Sequence, residues 1–171
     1  MFNKNIKIIL AVIVVALAIW QFSDNYIANG IFLLLLAGMF VFLYFKNEII
    51  LLAFLKLRKQ NLEGTEKLLD KIKNPEAALT TKQQGYYNYL KGIIMSQQNL
   101  TKAEKFFRNA IRLGLSMDQD LAMAKLNLAG IVMQKRRKRE AQTLLTEARR
   151  LDKHGVLKEQ IGMMKQQLKK I

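Results

Sequence analysis

Residues 86–115, YYNYLKGIIMSQQNLTKAEKFFRNAIRLGL, place two amphipathic helical patterns on either side of a short polar break. Before the break, Tyr87, Leu90, Ile94 and Met95 recur at helical spacing; beyond it, Ala103, Phe107, Ala110 and Ile111 do the same. The arrangement recurs upstream and downstream. Aligned on Thr65, Ala103 and Ala141, three copies stand 38 residues apart, and Leu52/Leu90/Leu128, Leu69/Phe107/Leu145 and Ile72/Ala110/Ala148 fall in register. A repeat of this length predicts stacked helix pairs, each burying its apolar face against the next.

The local signals agree. Thr101 and Glu104 form the pattern of a capping box at the start of the second helix of the middle copy, and Gly114 is placed to end it. In the first copy, NEIILLAFLKLRKQ (47–60) precedes a helix carrying Leu68, Leu69 and Ile72, which stops before Pro75. This first pair reads equally as a true repeat or as a pair lying at a membrane interface. The third copy has a candidate cap at Ser116, an apolar stripe through Leu121, Leu128 and Val132, and a second helix with Ala141, Leu144, Leu145 and Ala148. Beyond His154 and Gly155, one narrow stripe (Leu157, Ile161, Met164, Leu168) predicts a terminal helix that closes the stack.

Leu90, Ile94, Leu100, Ala103, Phe107 and Ala110, and then Leu128, Ala129, Val132, Ala141, Leu145 and Ala148, resemble the tetratricopeptide repeat. The likeness covers residues 48–150. It departs from that family in its period, in Lys91 where a small residue is usual, and in Lys56 and Thr65 of the first copy. The resemblance implies a right-handed stack whose concave face, built from the first helix of each pair, holds a peptide or a partner helix. Carried onto this chain, that face comprises Asn88, Gly92, Met95 and Ser96 from one copy and Leu126, Gly130, Met133 and Gln134 from the next.

Before residue 46 the composition changes. Only Lys4, Lys7 and Asp24 are charged there, and two apolar runs flank the polar FSDNY. Summed insertion preferences of roughly 3–5 and 4–7 kcal/mol predict a transmembrane hairpin with spans at about 6–22 and 26–45. A cleaved signal peptide is the rival for the first run, but AIWQFSDN offers no small-residue cleavage site. Trp20, Phe22 and Tyr26 would form an interfacial belt, and Ala11, Ala18, Gly30, Ala37 and Gly38 would let the spans approach. Lys4 and Lys7 before the first run, and Lys46, Lys56, Arg58 and Lys59 after the second, predict both termini in the cytoplasm of a bacterium, with the chain in its inner membrane. The expected organisation is thus all-α: a hairpin at 1–45 and a basic cytoplasmic domain of three helix pairs and a cap at 46–171.

The net charge is +15, nearly all of it in that second part, which implies acidic surroundings. KRRKRE (135–140) lies in the turn of the third copy. It reads either as a solvated turn or as an anion-binding patch of Lys135, Arg136, Arg137, Lys138 and Arg139. Lys102, Lys105, Arg108 and Arg112 add a second basic strip.

Cysteine is absent and His154 is the single histidine, with no acidic or nucleophilic constellation around it. No catalytic, cofactor or metal residue is therefore assigned, and an enzyme is not expected. The expected function is a membrane-anchored scaffold binding a partner protein or membrane complex, with no small-molecule substrate. Its alternative is electrostatic docking of a ribosome, RNA or other anionic assembly, such as anionic lipid, beside a translocon-like complex.

Overall fold

The computed structural model describes residues 4–45 and 48–170, and among them it is helical throughout, with no strand. The helices are α1 (Lys4–Ser23), α2 (Ile27–Phe45), α3 (Glu48–Arg58), α4 (Leu62–Asp70), α5 (Pro75–Ala78), α6 (Thr81–Ser96), α7 (Leu100–Leu113), α8 (Asp118–Gln134), α9 (Lys138–Leu151) and α10 (Lys158–Lys169). α3 packs on α4, α6 on α7 and α8 on α9, while α10 lies against α8 and α9. The second helices of the pairs begin at Leu62, Leu100 and Lys138, in steps of 38.

Small residues set the approach within each pair. Thr65, Ala103 and Ala141 are each fully buried, as are Leu69, Phe107 and Leu145 one turn on. Thr65 fits this apolar contact because its hydroxyl donates to the carbonyl of Asn61, one turn back, at 2.7 Å. Gly92 on α6 leaves room for Phe107: a Cβ there would stand 3.0 Å from the ring.

Several expectations are corrected. The capping box at Thr101 does not form. Asn99 is the cap, its side chain accepting from the backbone amides of Thr101 and Lys102 at 3.1 and 3.0 Å, and Glu104 is drawn elsewhere. A capping box stands instead at Thr80 and Gln83, ahead of α6. α8 starts after Met117 without a side-chain cap, rather than from Ser116. Leu52, aligned with buried Leu90 and Leu128, is 49% exposed; α3 turns Ile50 and Ala53 inward instead. On α6 the buried rings are Tyr86 and Tyr89, while Tyr87 is half-buried. Lys91 is accommodated because its ammonium reaches back to α4, 2.6 Å from Asp70 and 3.7 Å from Glu66.

The transmembrane hairpin is withdrawn, and with it the inner-membrane localisation, the outward turn and the cytoplasmic placement of the termini. Among the described residues no helix is long and apolar enough to cross a membrane. In α1 the run without polar residues extends from Ile8 to Trp20, about 20 Å of helix; in α2, after Asn29 and Gly30, it extends from Ile31, about 22 Å. Both fall short of the ~30 Å of a hydrocarbon core. Lys46, expected to fix the orientation, lies outside the described residues, as do the side chains of Lys4 and Lys7. α1 and α2 pack against each other through Ala11, Ala18, Gly30 and Ala37, all buried, with the Phe22 ring over Gly30. Their outer faces leave Ile9, Val12, Ile19, Trp20, Phe32 and Leu35 more than half exposed.

α10 closes the far end by burying Leu157, Ile161 and Leu168. The bend into it is held by buried Asp152, whose carboxylate accepts from the backbone amides of Val156 and Leu157 at 2.9 and 2.8 Å.

Candidate functional site: a groove across the first helices

The first helices of the pairs line one face, and a concavity of about 390 Å³ opens on it. α3 supplies Ile50, Leu51, Phe54, Leu55 and Arg58, at the i, i+1, i+4, i+5, i+8 spacing of one helical face. α6 supplies Lys82, Gln83 and Tyr86; Ser116 and Met117, with Asp120 in the first turn of α8, complete the wall. Leu51, Leu55 and Met117 are 46%, 48% and 56% exposed, so apolar surface faces the opening.

The wall is fixed by polar contacts. The Tyr86 hydroxyl donates to Asp120 at 2.6 Å and accepts from the backbone amide of Ser116 at 3.3 Å, tying α6 to the entry of α8. Burial first, and then the neighbouring Asp120 carboxylate, pushes the Tyr86 phenol up to about 12. Burial also raises the phenol of Tyr89. The Phe54 ring meets Tyr86 edge-on at 5.6 Å and stacks on Tyr89 at 6.2 Å; Tyr89 in turn meets Phe107 edge-on at 6.1 Å. This chain of rings anchors the groove floor in the core. Gln83 donates to the carbonyl of Tyr44 at 2.7 Å, linking the end of α2 to the groove.

A second concavity, about 450 Å³, repeats the pattern 76 residues on. Leu126, Asn127, Gly130, Ile131 and Gln134 of α8 are the counterparts of the α3 lining, and Gln160, Met163, Met164 and Gln167 of α10 form its other wall, with Ser96 and Leu100 at one end. In this register Asn127 and Gly130 replace Leu51 and Phe54, Gln134 replaces Arg58, and Gln160 and Gln167 of α10 add further polar lining.

Of the residues expected on the concave face, Ser96, Leu126, Gly130 and Gln134 come together in this second concavity. Asn88 lines a separate polar cleft with Lys73 and Arg112, Gly92 packs against Phe107, Met133 is buried and Met95 half-buried. The α3 groove escaped the sequence reading, although its signal was present: stepping back 38 from Asn88, Gly92 and Ser96 gives Ile50, Phe54 and Arg58.

The basic residues divide. Glu104 pairs with Lys135 at 2.8 Å, Arg108 at 2.9 Å and Arg137, and Glu140 pairs with Arg108 and with Arg137 at 3.3 Å. These partners, Arg137 foremost, hold the Glu104 carboxyl down to about 2. Arg136, Lys138, Arg139, Lys102, Lys105 and Arg112 are exposed and have no ion pair among the described residues. Nor do the described residues contain a group of His, Cys, Asp and Glu able to hold a metal ion.

Compared with models of known protein families, with curated proteins and with solved structures, the chain matches none.

Proposed function

We propose that this chain is a helical adaptor, which takes an apolar-faced segment of a partner polypeptide into the groove between α3, α6 and α8. One observation carries the reading: Leu51, Leu55 and Met117 converge on a concavity whose wall is fixed by the Tyr86–Asp120 hydrogen bond. Exposed apolar side chains grouped in a rigid concavity favour docking, because a partner's apolar anchors leave water there without a cost in reordering the receptor. An amphipathic helix, with apolar anchors at i, i+3/i+4 and i+7, is a segment of the kind such a groove takes. Flexible Met117 adapts to the shape of such anchors. Arg58 and Lys82 at the rim favour an acidic flank on the partner. The resemblance to tetratricopeptide repeats points the same way, since that family uses the face of its first helices for partners.

The test is site-specific photocrosslinking from Leu55 and Met117 in cells that express the full chain. A single partner band that still forms when lysate is irradiated in 0.5 M salt, and that is lost from Met117 in Leu55→Asp, is the expected result. Crosslinks that Leu55→Asp leaves unchanged, or that no longer form when irradiation is done in 0.5 M salt, refute the groove as the binding face.

A further inference from the structure

We propose that the turn edge of the second and third pairs is a preorganised site for the phosphodiester backbone of nucleic acid, independent of the groove. Two observations carry this. The first is the division of the basic cluster. Lys135 bridges the two turns, donating to Thr101 at 3.2 Å and pairing with Glu104. Together with Arg108, Arg137 and Glu140 it makes a five-residue lattice that joins α7 to the start of α9. Lys102, Lys105, Arg136, Lys138 and Arg139 surround that lattice, exposed and without an ion pair among the described residues. Three cations thus brace the edge, and five are held outward on it.

The second is the backbone at Arg136, which has φ +58°. Gln60, at the equivalent point 76 residues earlier, has φ +56°, whereas Gln98 of the middle copy stays out of the left-handed region, so two of the three turns use it. Glycine or asparagine suits that region best. Arginine occupies it in the third copy, where it adds a cation at the apex of the edge.

The chemistry of the surroundings selects the ligand. Gln97, Gln98, Asn99, Thr101 and Gln134 border the five cations, and none of the exposed large apolar residues lies among them. Such an edge offers no exposed apolar side chain to insert into a lipid layer, and its nearest ring, Phe106 beside Lys105, is partly buried. Phosphate groups spaced along a hydrated chain need only fixed cations, and are bound without sequence preference.

The experiment uses the full chain in non-ionic detergent, a labelled 20-nucleotide RNA, and fluorescence anisotropy across a potassium chloride series. Five phosphate contacts predict a slope of log affinity against log salt of about −3 to −4. Arg136→Gly with Lys138→Gln and Arg139→Gln should cut that slope by about 2, with the melting temperature held, since glycine fits φ +58°. Removing as much charge from the opposite edge (Lys71→Gln, Arg149→Gln, Lys158→Gln) should leave the slope within about 0.5. Leu55→Asp should leave RNA binding unchanged, which separates this site from the groove. Equal losses from both triple variants would reduce the binding to general cationic attraction and overturn the proposal. So would phosphatidylglycerol vesicles that depend on Arg136, Lys138 and Arg139 as strongly as the RNA does.

Discussion

A Cβ on Gly85 would stand 2.3 Å from the carbonyl oxygen of Gly114, so α6 and the α7–α8 turn touch backbone to backbone. The obstacle is main chain, which cannot swing aside as a flexible side chain can. Gly85→Ala should therefore cost about 1–3 kcal/mol. Gly162 on α10 has open space around its Cα, and Gly162→Ala should stabilise by up to ~1 kcal/mol. Urea denaturation of the two variants should give opposite signs.

Leu52 and Leu90 share a place in the repeat but not an environment, at 49% and 0% exposed. Leu90→Ala should cost about 2–5 kcal/mol. Leu52→Gln should change stability by less than ~0.5 kcal/mol. Comparable losses at the two positions would mean that α3 faces the stack the other way.

Glu104 ties stability to acid. Its folded carboxyl is held at about 2, below its ordinary 4.5, so the ionised form stabilises the fold. That contribution is complete above pH ~4.5 and is lost as pH falls toward 2. Glu104→Gln should lower stability at pH 7 by about 1–3 kcal/mol, solvent screening keeping it below the full linkage value. The gap between the two proteins should close between pH 4.5 and 2.

Tyr86 does the converse in alkali. Its phenol is raised to about 12 from an ordinary 10, so the neutral form is favoured in the fold. Stability should be full below pH 10 and fall as pH climbs from 10 to 12, where the unfolded chain ionises first. Tyr86→Phe should make this part of the profile shallower, buried Tyr89 keeping its own share, and should cost about 1 kcal/mol at pH 7 through the lost hydrogen bond to Asp120. Ultraviolet titration of phenolate, followed together with circular dichroism, measures both.

The helix pairs were legible because their signal is local and repeated: small residues at Thr65, Ala103 and Ala141 recur wherever two helices come close. Where long-range partners decide, the sequence misled. Glu104 stands where a capping box puts its acid, yet Lys135 and Arg137, more than thirty residues on, draw it away and Asn99 takes over the cap. Leu52 matches buried leucines in the other copies, but α3 has α4 and α6 as neighbours and no pair before it, so its inward face is set by Ile50 and Ala53. The groove was hidden for the same reason. Its residues come from three segments, and apolar α3 read as a stripe for burial rather than as a surface left open. The hairpin was read from apolar content; helix length without polar interruption is the stricter criterion, and neither run meets it.

The even spacing of Asn61, Asn99 and Arg137 at the heads of α4, α7 and α9 makes the molecule extensible. A duplicate of residues 99–136 spliced in ahead of Arg137 would meet, on each side, surfaces of the kind the chain already joins. Growth by whole units would lengthen the row of first helices and leave both ends as they are, so the reach of such a protein is a matter of counting.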